Sequence, residues 1–167
     1  MKKDETKKLH PLKSLFISTF NWITFKIHFP KIFNGKKLRM KDGAEFEIFR
    51  HIIVGDKTSL KNEKGAIFIV RFKLSEMSVE KNIKFSRFPI PMFIGLPVFR
   101  AKFWLLNRQT GYNQGIYQWK TEQDAINYSK SFAVNFMTKR SEPNSISYEI
   151  FPKGNIYEFI EDLRQYE

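Results

Sequence analysis

Apolar and polar residues alternate with a period of two in several stretches of this chain, as they do in β-strands with one buried face. The pattern predicts strands at residues 44–54, 66–74, 98–106, 115–120 and 145–151. Residues 66–74 (AIFIVRFKL) are apolar on both faces at their start, which favours a central strand. The polar run 107–114 contains Gly111 and separates two of these stretches, so it predicts a hairpin connection.

Helical periodicity follows the hairpin. Thr121 and Asp124 have the spacing of a capping box, and a helix should therefore begin after Thr121. Its apolar residues recur at helical spacing as far as Lys139 and Arg140, and Pro143 ends the pattern.

Two further helices are predicted. A short one should lie within residues 75–84, capped by Ser75 or Ser78 and limited by the prolines that follow it. Asn155 and Glu158 have capping-box spacing and predict an amphipathic C-terminal helix.

The order of these elements predicts the fold class. From residue 66 onward it is strand, weak helix, strand, strand, helix, strand, which is the ferredoxin-like βαββαβ arrangement with an antiparallel sheet. The sequence therefore predicts an α+β domain at residues 44–167, with its core at 66–152, preceded by a basic N-terminal arm at 1–43.

The C-terminal part resembles the dimeric α/β-barrel proteins, which include monooxygenase-like proteins and the antibiotic-biosynthesis monooxygenases. The segments that carry the resemblance are FIVRF at 68–72, GLPVFRAKFW at 95–104, QGIYQWK at 114–120, TEQDAINY at 121–128 and SISYEIF at 145–151. The resemblance implies a homodimer whose two sheets close into a barrel, with a pocket between sheet and helices in each subunit. In the catalytic members, oxygen is added to an electron-rich aromatic substrate without metal or flavin. The prolines in the first helix and residues 1–65 depart from the smallest members of the group.

The resemblance directs attention to five basic and aromatic residues of the hairpin. They are the candidate ligand-binding residues Arg100, Lys102, Trp104, Tyr117 and Trp119. The aromatic rings would pack a small apolar or aromatic ligand, and a basic group would stabilise its anion. Ordinary sheet packing, with the basic side chains reaching out to water, is the competing interpretation.

Whether these side chains meet depends on the register of the hairpin. If the turn centres after Thr110, Trp104 lies opposite Tyr117 and the basic and aromatic groups share one face. A register one residue away instead pairs Phe103 with Trp119 as plain core, and the basic groups lie on the other face. The sequence leaves both registers open.

The basic charge is concentrated in the arm. Residues 1–41 hold 11 Lys or Arg against Asp4 and Glu5, which is +9 of the total of +12. The amphipathic segment, with its lysines and aromatic residues, fits packing on the domain or on a partner subunit best, and contact with an anionic membrane surface is the alternative. Residues 22–29 fit a helix or a strand equally well. The arm lacks the pattern of a secretory signal, so the sequence predicts a cytoplasmic protein, at the inner face of the membrane if the arm attaches it.

The sequence gives no support for several kinds of chemistry. The chain has no cysteine, and His10, His28 and His51 have no partners at metal-ligand spacing. His51 is predicted on a solvated strand face with Glu45 and Glu47. There is no glycine-rich phosphate loop or serine elbow, and no histidine follows residue 66 to hold haem, so no cofactor is expected. A charge of only +3 beyond the arm, and the departure of GIYQW at 115–119 from the RNA-recognition signature, argue against nucleic acid.

Two functions of different classes remain. The first is a cofactor-independent monooxygenase-like activity on a small apolar or aromatic molecule. The alternative is a non-catalytic ligand-binding or scaffold domain, attached to a membrane surface by residues 1–41. The sequence shows no obvious proton-transfer group, which weighs against the enzyme.

Overall fold

The computed structural model describes residues 15, 16, 19, 26–96 and 98–164. Leu15, Phe16 and Thr19 are helical, and the rest of the predicted arm before residue 26 lies outside the described residues. Within the ambiguous segment at 22–29, Ile27 and His28 form a strand, because they pair with another strand. In the described part of the chain, no helix is both long and apolar enough to cross a membrane.

Seven strands and six helices make up the described domain. The strands are β1 (Ile27–His28), β2 (Lys37–Arg39), β3 (Glu45–Val54), β4 (Gly65–Lys73), β5 (Phe99–Leu106), β6 (Tyr112–Trp119) and β7 (Ser147–Gly154). The helices are α1 (Lys57–Asn62), α2 (Val79–Phe85), α3 (Ile90–Ile94), α4 (Glu122–Ser129), α5 (Phe132–Arg140) and α6 (Ile156–Arg164).

All seven strands belong to one antiparallel sheet. Its order is β1-β3-β5-β6-β4-β7, and β2 also pairs with β3. The four strands β5-β6-β4-β7, with helices in both crossovers, form the ferredoxin-like βαββαβ unit, which confirms the predicted fold class. β3 extends this unit beyond β5, and β2 lies in a segment that the sequence predicts only as a basic connection.

Local side-chain chemistry sets the helix boundaries. The predicted capping box is present, since Thr121 Oγ1 accepts a hydrogen bond from Asp124 N (3.2 Å) and Asp124 Oδ2 accepts one from Thr121 N (3.0 Å). The prediction of one continuous helix up to Arg140 is wrong, because the helix ends at Ser129 and a second N-cap, Ser131, begins α5. α1 was not predicted; Asp56 caps it with both carboxylate oxygens.

Each face of the sheet buries its own apolar cluster. α2 to α5 lie on the first face, where Phe68, Tyr117 and Trp119 are among the buried residues. On the second face, Ile67, Phe103 and Ile116 are buried with α1 and α6.

A polar network fixes α6 to the second face. Asn155 Nδ2 donates to the carbonyls of Leu60 (2.7 Å) and Glu63 (2.8 Å), and its Oδ1 accepts from Tyr157 N (2.9 Å) at the start of α6. Gln118 on β6 donates to the same Glu63 carbonyl (3.0 Å). α6 therefore covers the centre of the face on which a second copy is predicted to pack, and the homodimer stays a prediction.

A bulge in β3 changes which residues face the interior. The pairing of β3 with β5 shifts between Ile48 and Arg50, so alternation is interrupted at Phe49. His51 consequently points into the second apolar cluster and is 1% exposed, and its predicted position on a solvated face is wrong. Alternation alone could not show this shift, because the extra residue carries no polar signal.

His51 lies in an aromatic cluster. Its ring stacks on Phe103 at 3.9 Å and meets Phe33 and Tyr157 edge to face at 5.8 Å each. Neither ring nitrogen has a hydrogen-bond partner. Burial therefore lowers the pKa of His51 to about 3, and the imidazole is neutral at pH 7.

Replacing His51 by phenylalanine should stabilise the protein, because the stacking on Phe103 is kept and two buried polar atoms are removed. We expect a gain of about 1–3 kcal/mol in the free energy of unfolding, measured by urea denaturation at neutral pH. Between its unfolded pKa of 6.5 and its folded pKa of about 3, His51 binds its proton more readily in the unfolded chain. The wild type should therefore lose up to about 1.4 kcal/mol more per pH unit than the variant on acidification through this range.

The matched control is His28→Phe, at a half-buried histidine on β1. This variant should lose stability with falling pH as the wild type does. An identical acid response in both phenylalanine variants would contradict the neutral, buried state of His51.

Candidate functional site

The hairpin of β5 and β6 adopts a register that brings four of the five candidate residues to one face. Lys102 pairs with Tyr117 and Trp104 with Gly115, two positions away from the first predicted register. The turn centres earlier because Gly111, at φ +75°, closes the loop by donating to Asn107 O (2.9 Å). A shift of two preserves the face of every side chain, so Lys102, Trp104 and the two β6 residues share a face, as in the first of the two registers that the sequence left open.

A small cavity lies between this face and the helices. Its volume is about 50 Å³, and residues of both α2 and α5 line it. Lys102 and Trp104 line it from β5, Phe85 from α2, and Phe136 and Met137 from α5.

The ammonium position of Lys102 is surrounded by aromatic rings. Lys102 Nζ lies 4.1 Å from the ring centre of Trp104, 4.4 Å from Tyr117 and 4.5 Å from Phe93. We call these three rings the aromatic cage. Lys102 is 5% exposed, no ion pair among the described residues includes it, and no Asp or Glu lines the cavity.

A glycine gives the cage its shape. Gly115 lies opposite Trp104 on β6, and a Cβ atom there would stand 2.6 Å from Cε2 of Tyr117. Because Gly115 has no side chain, the Tyr117 ring can lie over the strand and reach Lys102.

Burial and a neighbouring cation favour the neutral form of the Lys102 amine. Desolvation is the larger cause and Arg50 the second, and together they hold the pKa of Lys102 well below its ordinary value of 10.5. Arg50 is fixed by hydrogen bonds to Ser86 Oγ (2.7 Å) and Ile83 O (3.2 Å) and packs over Trp104. Burial lowers the pKa of Arg50 to about 10, with a smaller effect from Arg87, so Arg50 still carries its charge at pH 7.

Two buried tyrosines supply the hydroxyl groups of the site. The hydroxyl oxygens of Tyr117 and Tyr128 are 3.2 Å apart and share a hydrogen bond, which joins α4 to the sheet. Burial raises the pKa of both phenols, so both are protonated at neutral pH. A protonated phenol can donate a hydrogen bond or a proton.

Tyr117 belongs to the aromatic cage, and neither Tyr117 nor the remaining two candidates line the cavity. Trp119 is buried behind the cage, 4.7 Å from Tyr128 between ring centres, and its indole Nε1 has no hydrogen-bond partner. Arg100 lies at a bulge of β5 and forms an ion pair with Glu63, with Nη2 2.6 Å from Oε2. This ion pair ties β5 to the end of α1, and the structure therefore does not bring Arg100 together with Lys102.

Sequence reasoning missed three residues of the site. Phe93 completes the cage from α3, in a proline-rich segment that gave no functional signal. Arg50 and Tyr128 come from β3 and α4, and only their distance in the folded chain connects them to Lys102.

The arrangement can accept a proton from a bound molecule. A neutral Lys102 is a general base, and once protonated it would be stabilised by the electron-rich faces of three rings. The charge of Arg50 also favours an anionic ligand. Among the described residues, no three His, Asp or Glu side chains cluster as metal ligands would.

The chain is similar in fold to two solved structures. One is described as an uncharacterised ferredoxin-fold protein related to antibiotic biosynthesis monooxygenases, from Listeria monocytogenes 4b F2365, with 14% identity, 72% of this chain and 70% of that chain covered, and a TM-score of 0.52. The other is a monooxygenase-like protein from Listeria innocua, with 11% identity, 70% and 68% coverage, and a TM-score of 0.50. No protein-family description and no curated protein matches the chain. At these identities, the two structures show that the chain shares their fold.

Replacing Lys102 by methionine should stabilise the protein at neutral pH, because an apolar side chain of similar length fills the space of a buried amine. In the wild type, the unfolded chain binds the Lys102 proton more readily than the folded chain does. Stability of the wild type should therefore rise by up to about 1.4 kcal/mol per pH unit as the pH increases from the lowered pKa of Lys102 towards 10.5, and the variant should lack this rise. Urea denaturation at a series of pH values measures both effects.

Arg100→Met is the control on the same strand. It leaves Glu63 without its partner and should lower stability by about 1.5–3 kcal/mol, while the alkaline rise persists. A Lys102→Met variant less stable than the wild type over the whole pH range would contradict a neutral, buried amine.

Proposed function

We propose that the protein is a cofactor-independent, oxygenase-like enzyme that acts on a small apolar or aromatic molecule with one acidic O–H or C–H group. The observation that carries this proposal is the amine of Lys102, which is enclosed by three aromatic rings and belongs to a side chain that lines a cavity without a carboxylate. The two solved structures of similar fold are described as related to, or like, monooxygenases, which supports the same class of chemistry.

The cavity and the space between α2 and α5 would bind such a substrate. Its acidic end would occupy the cavity of about 50 Å³ beside Lys102, and its apolar remainder would lie between α2 and α5. Phe85 and Phe136 stack at 6.5 Å there, and Arg140 packs over both rings. A flat aromatic body and an anionic end are the features that these groups recognise.

The proposed reaction begins with a proton transfer to Lys102. Lys102 takes the proton of the substrate, and the resulting anion is stabilised by Lys102 and Arg50. The electron-rich anion then reduces O₂ without a cofactor. For a hydroxyarene, one C–H carbon becomes the carbonyl of a quinone, one oxygen atom enters the product, and the other leaves as water with two hydrogens of the substrate.

Para-nitrophenol tests the proton transfer, because its phenolate is yellow and its phenol is colourless. At a pH about one unit below its solution pKa, binding to the wild type should increase the phenolate absorbance, since Lys102 takes the proton. Lys102→Met should abolish this increase and weaken binding about tenfold to a hundredfold. Lys64→Met, at an exposed lysine paired with Glu158, should behave as the wild type. An equal increase with both variants would contradict the role of Lys102.

Oxygen uptake tests the redox step. With 1-naphthol in air, the wild type should consume O₂ in equal amounts to the naphthoquinone formed, and Lys102→Met should lose at least about a hundredfold of this rate. An oxygen electrode and absorbance of the quinone measure the two quantities. Phenolate capture without oxygen uptake from 1-naphthol or related hydroxyarenes would contradict the oxygenase step.

A further inference from the structure

We propose that Lys102 is also a covalent binding site for short-chain aldehydes, which its amine holds as an imine. This reaction goes beyond the oxygenase-like activity, although it uses the same cavity and the same side chain, Lys102. It uses neither O₂ nor an acidic substrate.

The surroundings of Lys102 distinguish it from the other lysines of the described chain. Imine formation needs an unprotonated amine, and an amine stays unprotonated where water and negative charge are absent. Lys37, Lys64 and Lys73 each pair with a carboxylate at the surface. Lys102 instead is buried among Trp104, Tyr117 and Phe93, with the cation of Arg50 as its charged neighbour.

The size of the cavity selects the aldehyde. A volume of about 50 Å³ holds roughly three to five water-sized groups. Propanal, with three carbons and one oxygen, fits this space. The walls contributed by Phe72, Phe136 and Met137 suit its apolar chain.

The chemistry balances without an outside reactant. Nζ of Lys102 forms a bond to the carbonyl carbon, and a proton moves from nitrogen to oxygen to give a carbinolamine. The C–O bond then breaks, the oxygen leaves as water, and a C=N double bond forms. Tyr117, whose hydroxyl is protonated and hydrogen-bonded to that of Tyr128, is the proton donor of the cage for the departing hydroxyl and recovers its proton from the nitrogen.

Reductive trapping tests the proposal. The full chain is incubated with propanal and sodium cyanoborohydride at neutral pH, and its mass and peptide map are followed with time. Lys102 should be propylated at least about tenfold faster than any exposed lysine, since each unit of lowered pKa gives about tenfold more free amine. The α-amino group also reacts at neutral pH, and the peptide map separates it from Lys102.

Three comparisons make the result decisive. Lys64→Met should keep the fast site, Lys102→Met should lose it, and unfolding in urea should make all lysines react alike. The peptide map of the wild type decides the matter even if a variant folds poorly.

Propylation of exposed lysines with Lys102 unmodified would overturn the proposal. If the same protein still captures para-nitrophenolate, the amine accepts protons but not carbonyl compounds, and only the aldehyde site is refuted. If it does neither, the oxygenase-like proposal is contradicted as well.

Discussion

An amine buried without a counter-charge is the constraint on which this account depends. Transfer of an ammonium ion from water to an apolar interior costs several kcal/mol even after the surroundings relax. Cation–π contacts with the three rings around Lys102 offset part of this free-energy cost, but the charge of Arg50 repels a second positive charge. Loss of the proton therefore costs less free energy than burial of the charged form. A neutral amine is chemically reactive, whereas an ion-paired lysine is not.

The fold separates two basic residues that lie two positions apart on β5. Strict alternation would put Arg100 and Lys102 on one face. The bulge at Arg100 lets its guanidinium reach Glu63, whereas Lys102 continues into the layer between sheet and helices. One residue therefore stabilises the junction of β5 with α1, and the other is left with no partner but aromatic rings.

Local signals in the sequence predict much of the fold. The capping box of Thr121, the alternation in β5 from Ala101 to Leu105 and the order of elements after residue 66 depend on neighbours in the chain, and each is found in the structure. The sequence left two hairpin registers open, and the observed register differs from the first of them by two positions, which keeps the side chains on the same faces. A register shift by an even number of residues leaves each side chain on the same face, so the exact position of the turn did not change which residues lie together.

Features that depend on contacts between distant parts of the chain could not be predicted from the sequence. The bulge that turns His51 inward depends on how β3 pairs with β5, and the role of Arg100 depends on Glu63, 37 residues earlier in the chain. Phe93 joins the cage because α3 crosses over β5. The sequence showed no evident proton-transfer group for the same reason, since a lysine becomes a base only when the folded chain buries it.

The protonation state of Lys102 can be observed directly by nuclear magnetic resonance of lysine labelled with ¹³C at the ε carbon, with Lys102→Met used to assign the signal. We expect this one signal to titrate well below the ordinary lysine pKa of 10.5. A Lys102 signal that titrates near 10.5 would contradict a neutral, buried amine.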